Sequence, residues 1–430
     1  SASREENCHQ PRRRTQVLAM NLPVFFYTDE FQLYDMGPHH PLRPIRLKRT
    51  ADLLRLLGVL DHMEVRVPTP ASVEDLRTAH SAEFIESVER LSVGEHVPFP
   101  MTYGFGPGDN PVFPEMWEAS TLYSGASLDA AQAVIDGVPV AVNISGGLHH
   151  AHRARAAGFC VFNDCTLAIH RLLRKFQRVA YVDIDVHHGD GVQEAFYADP
   201  RVLTVSIHET GHTLFPGTGF GTEIGVDAGS GYSVNLPMWP YTTDAIWLGA
   251  WRDAALPVLR AFRPEVVVLQ FGADPHYLDP LARLCLTAQG WLEAVRDVKE
   301  LGAPIVGVGG GGYNQINVPR MWSLAIAELA GVPVPDEVPR EYELAAQAPT
   351  LTDHEVPPVA PHDVERAAAY ARESVELVRR LVFPTHGLTP PDATSSIITP
   401  TFLRTPVSMW PGDFAKRSRR HMENWPKCQR

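Results

Sequence analysis

The stretch YVDIDVHHGDG, at residues 181–191, holds three aspartates and two histidines directly after an apolar run. Asp183, Asp185 and His187 are spaced two residues apart, and side chains at this spacing share one face of an extended chain, whereas His188 points away. Three polar groups that merely satisfy a loop would not need to share a face. We therefore expect Asp185 and His187 to bind one cation together.

A third ligand for that cation is expected from the stretch VVVLQFGADPHYLDP, at residues 266–280. This stretch is predicted to be a second buried strand, and it ends in Asp274. Two carboxylates and one imidazole at neighbouring strand ends leave coordination positions open, which is typical of a catalytic metal site rather than a structural one. Zn²⁺ is the expected ion, and the oxygen-rich ligand set would also accept Fe²⁺ or Co²⁺.

Another strand end carries His149 and His150, in the stretch ISGGLHHAH. Because histidine titrates near neutral pH, we interpret this pair as general acid and base groups facing the cation, in preference to polar filler. Imidazoles in such roles need a partner on the second ring nitrogen. Asp183 and Asp190 are the carboxylates available for that purpose.

The stretch VGVGGGGYNQ, at residues 306–315, matches the GxGxxG pattern of dinucleotide-binding loops at Gly307, Gly309 and Gly312. The match is a weak signal, because no helix is predicted to begin at once and no ribose-binding acid follows at the expected distance. We expect close backbone packing around a pocket instead. Tyr313 would then be free to donate a hydrogen bond to an oxyanion.

These residues follow short apolar strands that alternate with amphipathic helices. This pattern predicts an α/β fold with a single parallel sheet covered by helices on both faces. In such sheets, ligands bind beyond the carboxyl ends of the strands. Strands are predicted at residues 24–27, 138–144, 179–183, 202–207, 232–236, 266–271 and 305–308, and helices at residues 117–135, 164–176, 243–262, 287–301 and 364–381.

The composition of the 430 residues argues against several other classes of protein. A net charge of −12 disfavours a general nucleic-acid binder. No apolar run approaches the ~20 residues that span a bilayer, so no membrane association is expected. Five cysteines, without any CxxC spacing, are interpreted as reduced thiols in a cytoplasmic protein.

The chain is predicted to have three parts. Residues 1–20 are interpreted as a disordered tail or an expression remnant, and residues 21–345 as the domain that carries the candidate site. Residues 346–430 are predicted to be a C-terminal extension with one helix, at about 364–381, and an irregular tail. The basic cluster KRSRRH within this tail is interpreted as a solvated segment.

Together, these motifs resemble the zinc-dependent histone deacetylase superfamily, which has the arginase/deacetylase fold. Matching blocks extend over residues 24–332, and the subgroup they resemble most is the bacterial acetoin-utilisation type of class I deacetylases. The blocks are DMGPHHPLRPIR, GFGPGDNP, ISGGLHHA, GFCVFND, DIDVHHGDG, SIHETGHTLFPGTG, FGADPHYLDPLARLCLT and GGGGY.

The resemblance implies a single, mostly eight-stranded parallel sheet and a full set of site residues. The metal ligands would be Asp185, His187 and Asp274, and Tyr313 would stabilise the oxyanion. His149 would be backed by Asp183, and His150 by Asp190. A structural K⁺ would use Asp183, Asp185 and the backbone at His187, Ser206 and Ile207.

The resemblance also implies residues that bind the substrate. Gly158, Phe159 and Phe215 would line a tunnel for the acyl-lysine stem, with Leu281 at its edge. Asp109 would hold the substrate backbone at the rim, and Arg46 would lie at a channel for product exit.

Three features depart from the family pattern. Phe271 stands where cysteine is common, Pro275 stands where a small residue is usual, and HYLDP is bulkier than the usual loop. These departures bear on the shape of the rim and on the choice of substrate.

The implied activity is metal-dependent hydrolysis of N-acetyl-lysine amides in proteins, with release of acetate. Acetylated metabolic enzymes such as acetyl-CoA synthetase are one implied class of substrate. The alternative is a small-molecule amidohydrolase, for example an acetylpolyamine deacetylase. A silent scaffold is disfavoured because no ligand or tyrosine is missing, and a binuclear arginase-like site lacks the carboxylates it would need. His150 is the expected base, but the sequence leaves the division of roles between His149 and His150 open.

Overall fold

The computed structural model describes residues 21–356 and 358–389. The tail predicted at residues 1–20 and the irregular segment from residue 390 onward lie outside the described residues. No helix in the described part of the chain is both long enough and apolar enough to cross a lipid bilayer.

The predicted parallel sheet is confirmed. Eight strands in the described residues form one sheet in the order β2-β1-β3-β8-β7-β4-β5-β6, and every neighbouring pair is parallel. The strands are β1 (Val24–Phe26), β2 (Glu64–Arg66), β3 (Val140–Asn143), β4 (Val179–Asp183), β5 (Val202–Glu209), β6 (Ser233–Met238), β7 (Val266–Gln270) and β8 (Ile305–Val308).

The helices cover this sheet. They are α1 (Ile45–Leu56), α2 (Val73–Leu76), α3 (Ala82–Ser92), α4 (Met116–Ile135), α5 (Asp164–Leu172), α6 (Asp190–Phe196), α7 (Asp244–Ala250), α8 (Leu256–Phe262), α9 (Ala288–Lys299), α10 (Asn317–Ala330) and α11 (Pro361–Leu381). Every residue of the strands β3, β4, β7 and β8 is buried, which is why these strands have continuous apolar sequences.

Two of the differences from the sequence-based expectation have a physical cause that the structure shows. The segment predicted as one helix at residues 243–262 is interrupted by a π-helical turn, Trp251–Ala255. Pro257 follows this turn and has no N–H to donate to the backbone four residues earlier, so regular α-helical bonding is broken there. The strand β2 was not predicted, because it is a short edge strand of three largely exposed residues.

The order of the sheet determines which loops meet. The strands β3, β8, β7 and β4 are consecutive neighbours at its centre. Because all of them are parallel, their carboxyl ends lie side by side at one edge. The loops after these four strands carry His149, Tyr313, Asp274 and Asp185, respectively. Topology therefore brings together residues that are far apart in the sequence.

The C-terminal helix α11 packs on the sheet domain rather than standing apart from it. The Ser374 hydroxyl donates a hydrogen bond to the Pro237 carbonyl in β6 at 2.7 Å. Ala367, Ala371, Val375 and Val378 of the same helix are buried.

Candidate active site

The three predicted metal ligands converge on one point. One ligand atom each from Asp185, His187 and Asp274 lies within 4.8 Å of the others, and all three residues are buried. His187 Nδ1 is 3.0 Å from Asp185 Oδ1 and 3.1 Å from Asp274 Oδ2. Two carboxylate oxygens and one imidazole nitrogen therefore face a common space, which is a donor set that fits a zinc ion.

The remaining carboxylate oxygens are fixed by neighbouring donors. Asp274 Oδ1 accepts the Val186 N–H at 2.9 Å. Asp185 Oδ2 accepts hydrogen bonds from Gln270 Nε2 and from the Gly311 N–H, both at 2.8 Å. Each carboxylate is thus held in one orientation, as a ligand set for a single ion requires.

The electrostatics of this cluster demand a positive charge. Burial lowers the pKa of the His187 imidazole, but hydrogen bonds and charge from Asp185 and Asp274 outweigh it and raise the pKa well above its usual range. Two buried carboxylates that share one imidazole need a compensating proton or cation. A divalent ion would satisfy them in place of that proton.

The glycine stretch supplies close backbone contacts with these carboxylates. A Cβ atom added at Gly311 would lie 2.0 Å from Asp274 Oδ2, and one at Gly310 would lie 2.1 Å from Gln270 Nε2. Gly310 has a φ of +101°, which L side chains rarely adopt. These contacts favour the interpretation of the stretch as packing around the pocket rather than as a dinucleotide loop.

The paired histidines lie next to the metal cluster. His149 Nε2 and His150 Nε2 are 3.1 Å apart. His149 Nδ1 is 2.7 Å from Asp183 Oδ2, and His150 Nδ1 is 2.7 Å from Asp190 Oδ1. Each imidazole therefore donates its Nδ1–H to a carboxylate and presents its Nε2 atom to the shared space.

The pKa values of the two imidazoles are shifted in opposite directions. Burial lowers the pKa of His149, but the charges of Asp183 and Asp185 outweigh it and raise the pKa to about 9. Burial, followed by the charge of His149, lowers the pKa of His150 to about 4. Pairs of titratable groups with separated pKa values are typical of acid–base sites.

Aromatic and imidazole rings surround the space above the metal cluster. The ring of Tyr313 lies 6.3 Å from that of His187 and 5.7 Å from that of Phe159. The ring of His150 lies 5.7 Å from that of His187 and 4.9 Å from that of Phe215. These rings therefore lie close to one another beside the proposed metal ligands.

The backbone at Gly158 and Phe159 packs closely against the side chains of His150 and Phe215. A Cβ atom at Gly158 would lie 2.4 Å from His150 Cδ2 and 2.8 Å from Phe215 Cε1. Phe159 has a φ of +70°, and its backbone is held by hydrogen bonds to Asn110 Oδ1 and from the Tyr34 hydroxyl, both at 2.8 Å. These bonds stabilise a backbone conformation that is otherwise strained.

The remaining predicted substrate residues lie around this pocket. Asp109 is exposed, and its carbonyl is 3.2 Å from Nε2 of His40, whose ring packs on Phe159. Arg46 is buried and donates a hydrogen bond to the Gly312 carbonyl at 2.9 Å. The Leu281 N–H donates to Asp279 Oδ1 at 2.9 Å.

Asp279 links this edge of the pocket to Tyr313. Its second oxygen, Oδ2, accepts the Tyr313 N–H at 2.8 Å. Burial and the charge of Asp274 raise the pKa of the Tyr313 phenol well above its usual range, so the hydroxyl keeps its proton. Tyr313 can therefore act as a hydrogen-bond donor.

Some of the residues predicted to bind K⁺ lie next to one another on β4 and β5. The strand register pairs Asp183 with Ser206 on β5. Asp183 Oδ1 accepts the Asp185 N–H at 3.1 Å, and the Ser206 hydroxyl is 2.8 Å from Nδ1 of His208. Binding of K⁺ through Asp183, Asp185 and the backbone at His187, Ser206 and Ile207 stays a prediction.

Phe271 does not lie at the rim, so this departure from the family pattern has no direct effect there. Its ring packs in the core, 6.4 Å from that of Trp322 and 6.5 Å from that of Trp291. Alternation along an extended chain explains this position, because Gln270 faces the site and Phe271 faces the opposite side.

Gln270 is a site residue that sequence reasoning missed. Besides Asp185, its amide contacts the Gly147 carbonyl at 3.2 Å, and its Oε1 atom accepts the Gly272 N–H at 2.8 Å. The signal was present in the sequence, because a glutamine in the otherwise apolar strand VVVLQF needs polar partners when buried.

Asp164 was also missed. Its two carboxylate oxygens accept the N–H groups of Gly147 and Leu148 at 2.9 and 2.8 Å, just before the paired histidines. Nothing in the local sequence distinguishes this aspartate from a helix-capping residue, so only the fold reveals its role in holding that loop.

Comparison with known proteins agrees with this geometry. A family model described as "Histone deacetylase domain" matches residues 40–329. The acetoin utilization protein AcuC of Bacillus subtilis (strain 168) is 41% identical over 329 residues, which cover 74% of this chain and 85% of that protein.

Eukaryotic relatives match over similar lengths. Histone deacetylase B of Dictyostelium discoideum is 40% identical, over 73% of this chain and 75% of that protein. Histone deacetylase clr6 of Schizosaccharomyces pombe is 37% identical, over 73% and 78%, respectively. The eight-stranded parallel sheet and the buried Asp-His-Asp cluster are consistent with these matches. The chain therefore belongs to the histone deacetylase family of zinc-dependent deacetylases.

Proposed function

We propose that the protein hydrolyses N-acetyl-lysine in acetylated proteins and releases acetate. Membership of the deacetylase family supports the reaction. The observation that carries the proposal is the convergence of Asp185, His187 and Asp274 beside the paired histidines. The same three residues would hold the zinc ion, and Fe²⁺ is an alternative ion for this donor set.

A zinc ion at this site would polarise the acetyl carbonyl and lower the pKa of the attacking water. The protein supplies the proton transfers. In our proposal one imidazole of the His149–His150 pair accepts the proton of the water, and the pair returns a proton to the leaving amine. Asp183 and Asp190 hold the Nδ1–H groups, so that Nε2 is the atom that exchanges protons.

Tyr313 is proposed to stabilise the oxyanion that forms when the carbonyl is attacked. Its protonated phenol lies among the rings of His187 and Phe159. A neutral donor that is already oriented by the protein strengthens its hydrogen bond as negative charge develops on the oxygen.

The apolar walls are proposed to select the acylated form of lysine. Phe159 and Phe215 would contact the methylene stem, next to Gly158 and Leu281. A free lysine ammonium would lose its hydration between these walls without gaining a partner, whereas an acetylated amine carries no charge. Asp109 would bind the peptide backbone at the rim, and Arg46 would lie on the route by which acetate leaves.

The substrates are proposed to be acetylated metabolic enzymes, with acetyl-CoA synthetase as one candidate. Support comes from the similarity to an acetoin utilization protein. A cytoplasmic location is proposed on the same basis, together with the free cysteines Cys160, Cys165 and Cys285. The division of the chain at residue 345 into a catalytic domain and an extension also stays a proposal.

The test compares two classes of substrate. Zinc-loaded protein is incubated with acetyl-lysine peptides and, separately, with acetylpolyamines, and acetate is measured. Asp185→Ala should abolish release and reduce the zinc content, whereas the exposed control Asp61→Ala should behave as the wild type. Release from acetylpolyamines alone would favour a small-molecule amidohydrolase. Equal release from wild type and Asp185→Ala would contradict the metal-dependent mechanism.

A further inference from the structure

A cavity of about 620 Å³ is lined by residues that contact His150. Its lining includes Asp190 and Phe215, both of which contact His150. His152, Arg155 and Glu194 also line it, and none of them has a part in the proposed chemistry. These residues therefore lie where they can act on His150 through Asp190.

The lining residues form a chain of polar contacts that begins at His150. Asp190 Oδ1 accepts the Nδ1–H of His150 at 2.7 Å, and Asp190 Oδ2 is 3.3 Å from Nε2 of His152. His152 Nδ1 is 2.6 Å from Glu194 Oε2. The side chain of His150 is 6% exposed and that of Glu194 is 61% exposed, so the chain connects the buried imidazole with solvent.

The Nε2 atom of His152 has two competing partners. Besides Asp190, it lies 3.0 Å from Nη2 of Arg155. A neutral ring with its proton on Nδ1 accepts the Arg155 N–H at Nε2 and offers nothing to Asp190. A protonated ring donates from Nε2 to Asp190 and cannot accept from Arg155. His152 therefore either supports Asp190 or is held by Arg155.

The surrounding charges favour support of Asp190. Burial lowers the pKa of His152, but the hydrogen bond and charge of Asp190, helped by Glu194, outweigh burial and Arg155, so the pKa is raised overall. The charged groups facing His152 are Asp190 and Glu194 from α6 and Arg155 from its own loop, and His188 lines the same cavity.

We propose that His152 is a positioning residue: it holds the second oxygen of Asp190 and thereby fixes the orientation of the His150 imidazole. The inference rests on the proposed deacetylation, in which His150 exchanges protons. Removing the direct partner of a metal-bound imidazole typically changes affinity or activity by about 10- to 100-fold, and we expect an effect at the lower end of this range because His152 acts on His150 through Asp190. Loss of His152 should therefore slow turnover without removing any group that contacts the substrate.

The experiment compares two replacements of His152 with a matched histidine control. In zinc-loaded protein acting on an acetyl-lysine peptide, His152→Gln should lower kcat by about 10-fold with an unchanged KM. His152→Lys, which keeps a cation next to Asp190, should restore kcat to within about threefold of the wild type if charge-assisted support is what matters. His62→Gln, at an exposed histidine of the surface, should leave both constants unchanged.

A second measurement does not depend on turnover. In protein labelled with ¹⁵N-histidine, His152→Gln should shift the ring resonances of His150 and leave those of His62 in place. Unshifted His150 resonances, or equal kcat in wild type and His152→Gln, would overturn the inference. A fall in zinc content in proportion to the fall in kcat, or unfolding of His152→Gln at the assay temperature, would also overturn it. Failure of the wild type to deacetylate the peptide would refute the proposed function, while the resonances would still decide whether His152 controls His150.

Discussion

At the scale of single residues, the Tyr313 hydroxyl can be removed without touching the proposed metal ligands. Tyr313→Phe should lower kcat by about 100-fold, because one preorganised donor to the oxyanion is lost. KM and zinc content should stay near the wild-type values, since the ring still packs against Phe159 and His187. Steady-state kinetics on an acetyl-lysine peptide provide the measurement.

The matched control is Tyr241→Phe, at an exposed tyrosine outside the candidate site. It should have wild-type kinetics. If Tyr313→Phe also retained full kcat, the phenol would have no part in stabilising the oxyanion.

Gly311 offers a second test at the residue scale. A Cβ atom there would lie 2.0 Å from Asp274 Oδ2 and 2.8 Å from Asp185 Oδ2. Gly311→Ala should therefore push the carboxylates apart and weaken zinc binding by about 10-fold or more, an effect comparable with that of losing a residue that orients a ligand. Competition with a zinc chelator measures this affinity.

Gly249→Ala is the corresponding control, because the added Cβ atom meets nothing within 4 Å on the exposed side of α7. It should bind zinc normally and be more stable by up to about 1 kcal/mol, since alanine has the higher helix propensity. Equal zinc affinity in both alanine variants would show that the glycine is not required for the ligand geometry.

At the scale of secondary structure, the buried strands were predictable, including the edge strand β6, and the exposed edge strand β2 was not. The strands β4 and β8 have the predicted bounds, because continuous apolar runs with polar ends mark strands that are covered on both faces. The exposed strand β2 offers no such run. The π-helical turn before Pro257 was also missed, because it depends on how α7 and α8 bond around a missing N–H.

A buried histidine couples two of these elements to pH. His80 precedes the helix α3, and its Nε2 accepts the N–H of Asn163, the N-cap of α5, at 2.9 Å. Its Nδ1 donates to the His152 carbonyl at 3.0 Å. The bond from Asn163 needs an unprotonated Nε2 atom and therefore the neutral ring, and burial lowers the pKa of His80 to about 4.

The direction of the pH effect follows from that shift. The folded-state pKa lies below the unfolded value of about 6.5, so the unfolded chain binds more protons between these two values. Stability should therefore fall as the pH drops below the unfolded value, and level off below the folded one. The contribution of His80 between pH 7 and pH 5 is about 2 kcal/mol.

Urea unfolding at pH 7 and pH 5 measures this contribution. His80→Gln should be less stable than the wild type at pH 7, but it should lose about 2 kcal/mol less on acidification, because glutamine does not titrate. An identical pH dependence in both proteins would mean that the pKa of His80 is the same in the native and the unfolded state.

At the scale of the whole molecule, the sequence indicates the residues of the candidate site better than it indicates the residues that hold them in place. Asp185, His187 and Asp274 were identifiable because each follows an apolar strand. Gln270 and Asp164 hold the same site but resemble ordinary polar residues in a strand and at a helix start. Gln270 and its partner Asp185 are 85 positions apart in the sequence, and Asp164 and its partner Leu148 are 16 positions apart. Only the folded sheet brings these residues into contact.

The segment after residue 345 shows the same dependence on the whole fold. Asp353 lies beyond the predicted domain boundary, yet its carboxylate is 3.0 Å from His276 Nε2 and 3.0 Å from Arg320 Nη2. It also accepts the Ala288 N–H at 2.8 Å. His276 is two residues from Asp274, so this segment braces the loop that carries a proposed metal ligand.

Removing the charge of Asp353 tests whether the extension stabilises the domain. Asp353→Asn leaves Arg320 buried without its carboxylate, and breaking a buried ion pair in this way typically costs about 3 kcal/mol. Urea unfolding should show this loss, whereas Asp61→Asn, at an exposed site, should change the free energy of unfolding by less than about 0.5 kcal/mol. If both variants were equally stable, residues 346–356 would not contribute to the free energy of unfolding of the domain. The predicted boundary at residue 345 would then also mark the end of the cooperatively folded unit. If Asp353→Asn is destabilised as expected, these residues belong to the same folded unit as the loop that carries Asp274.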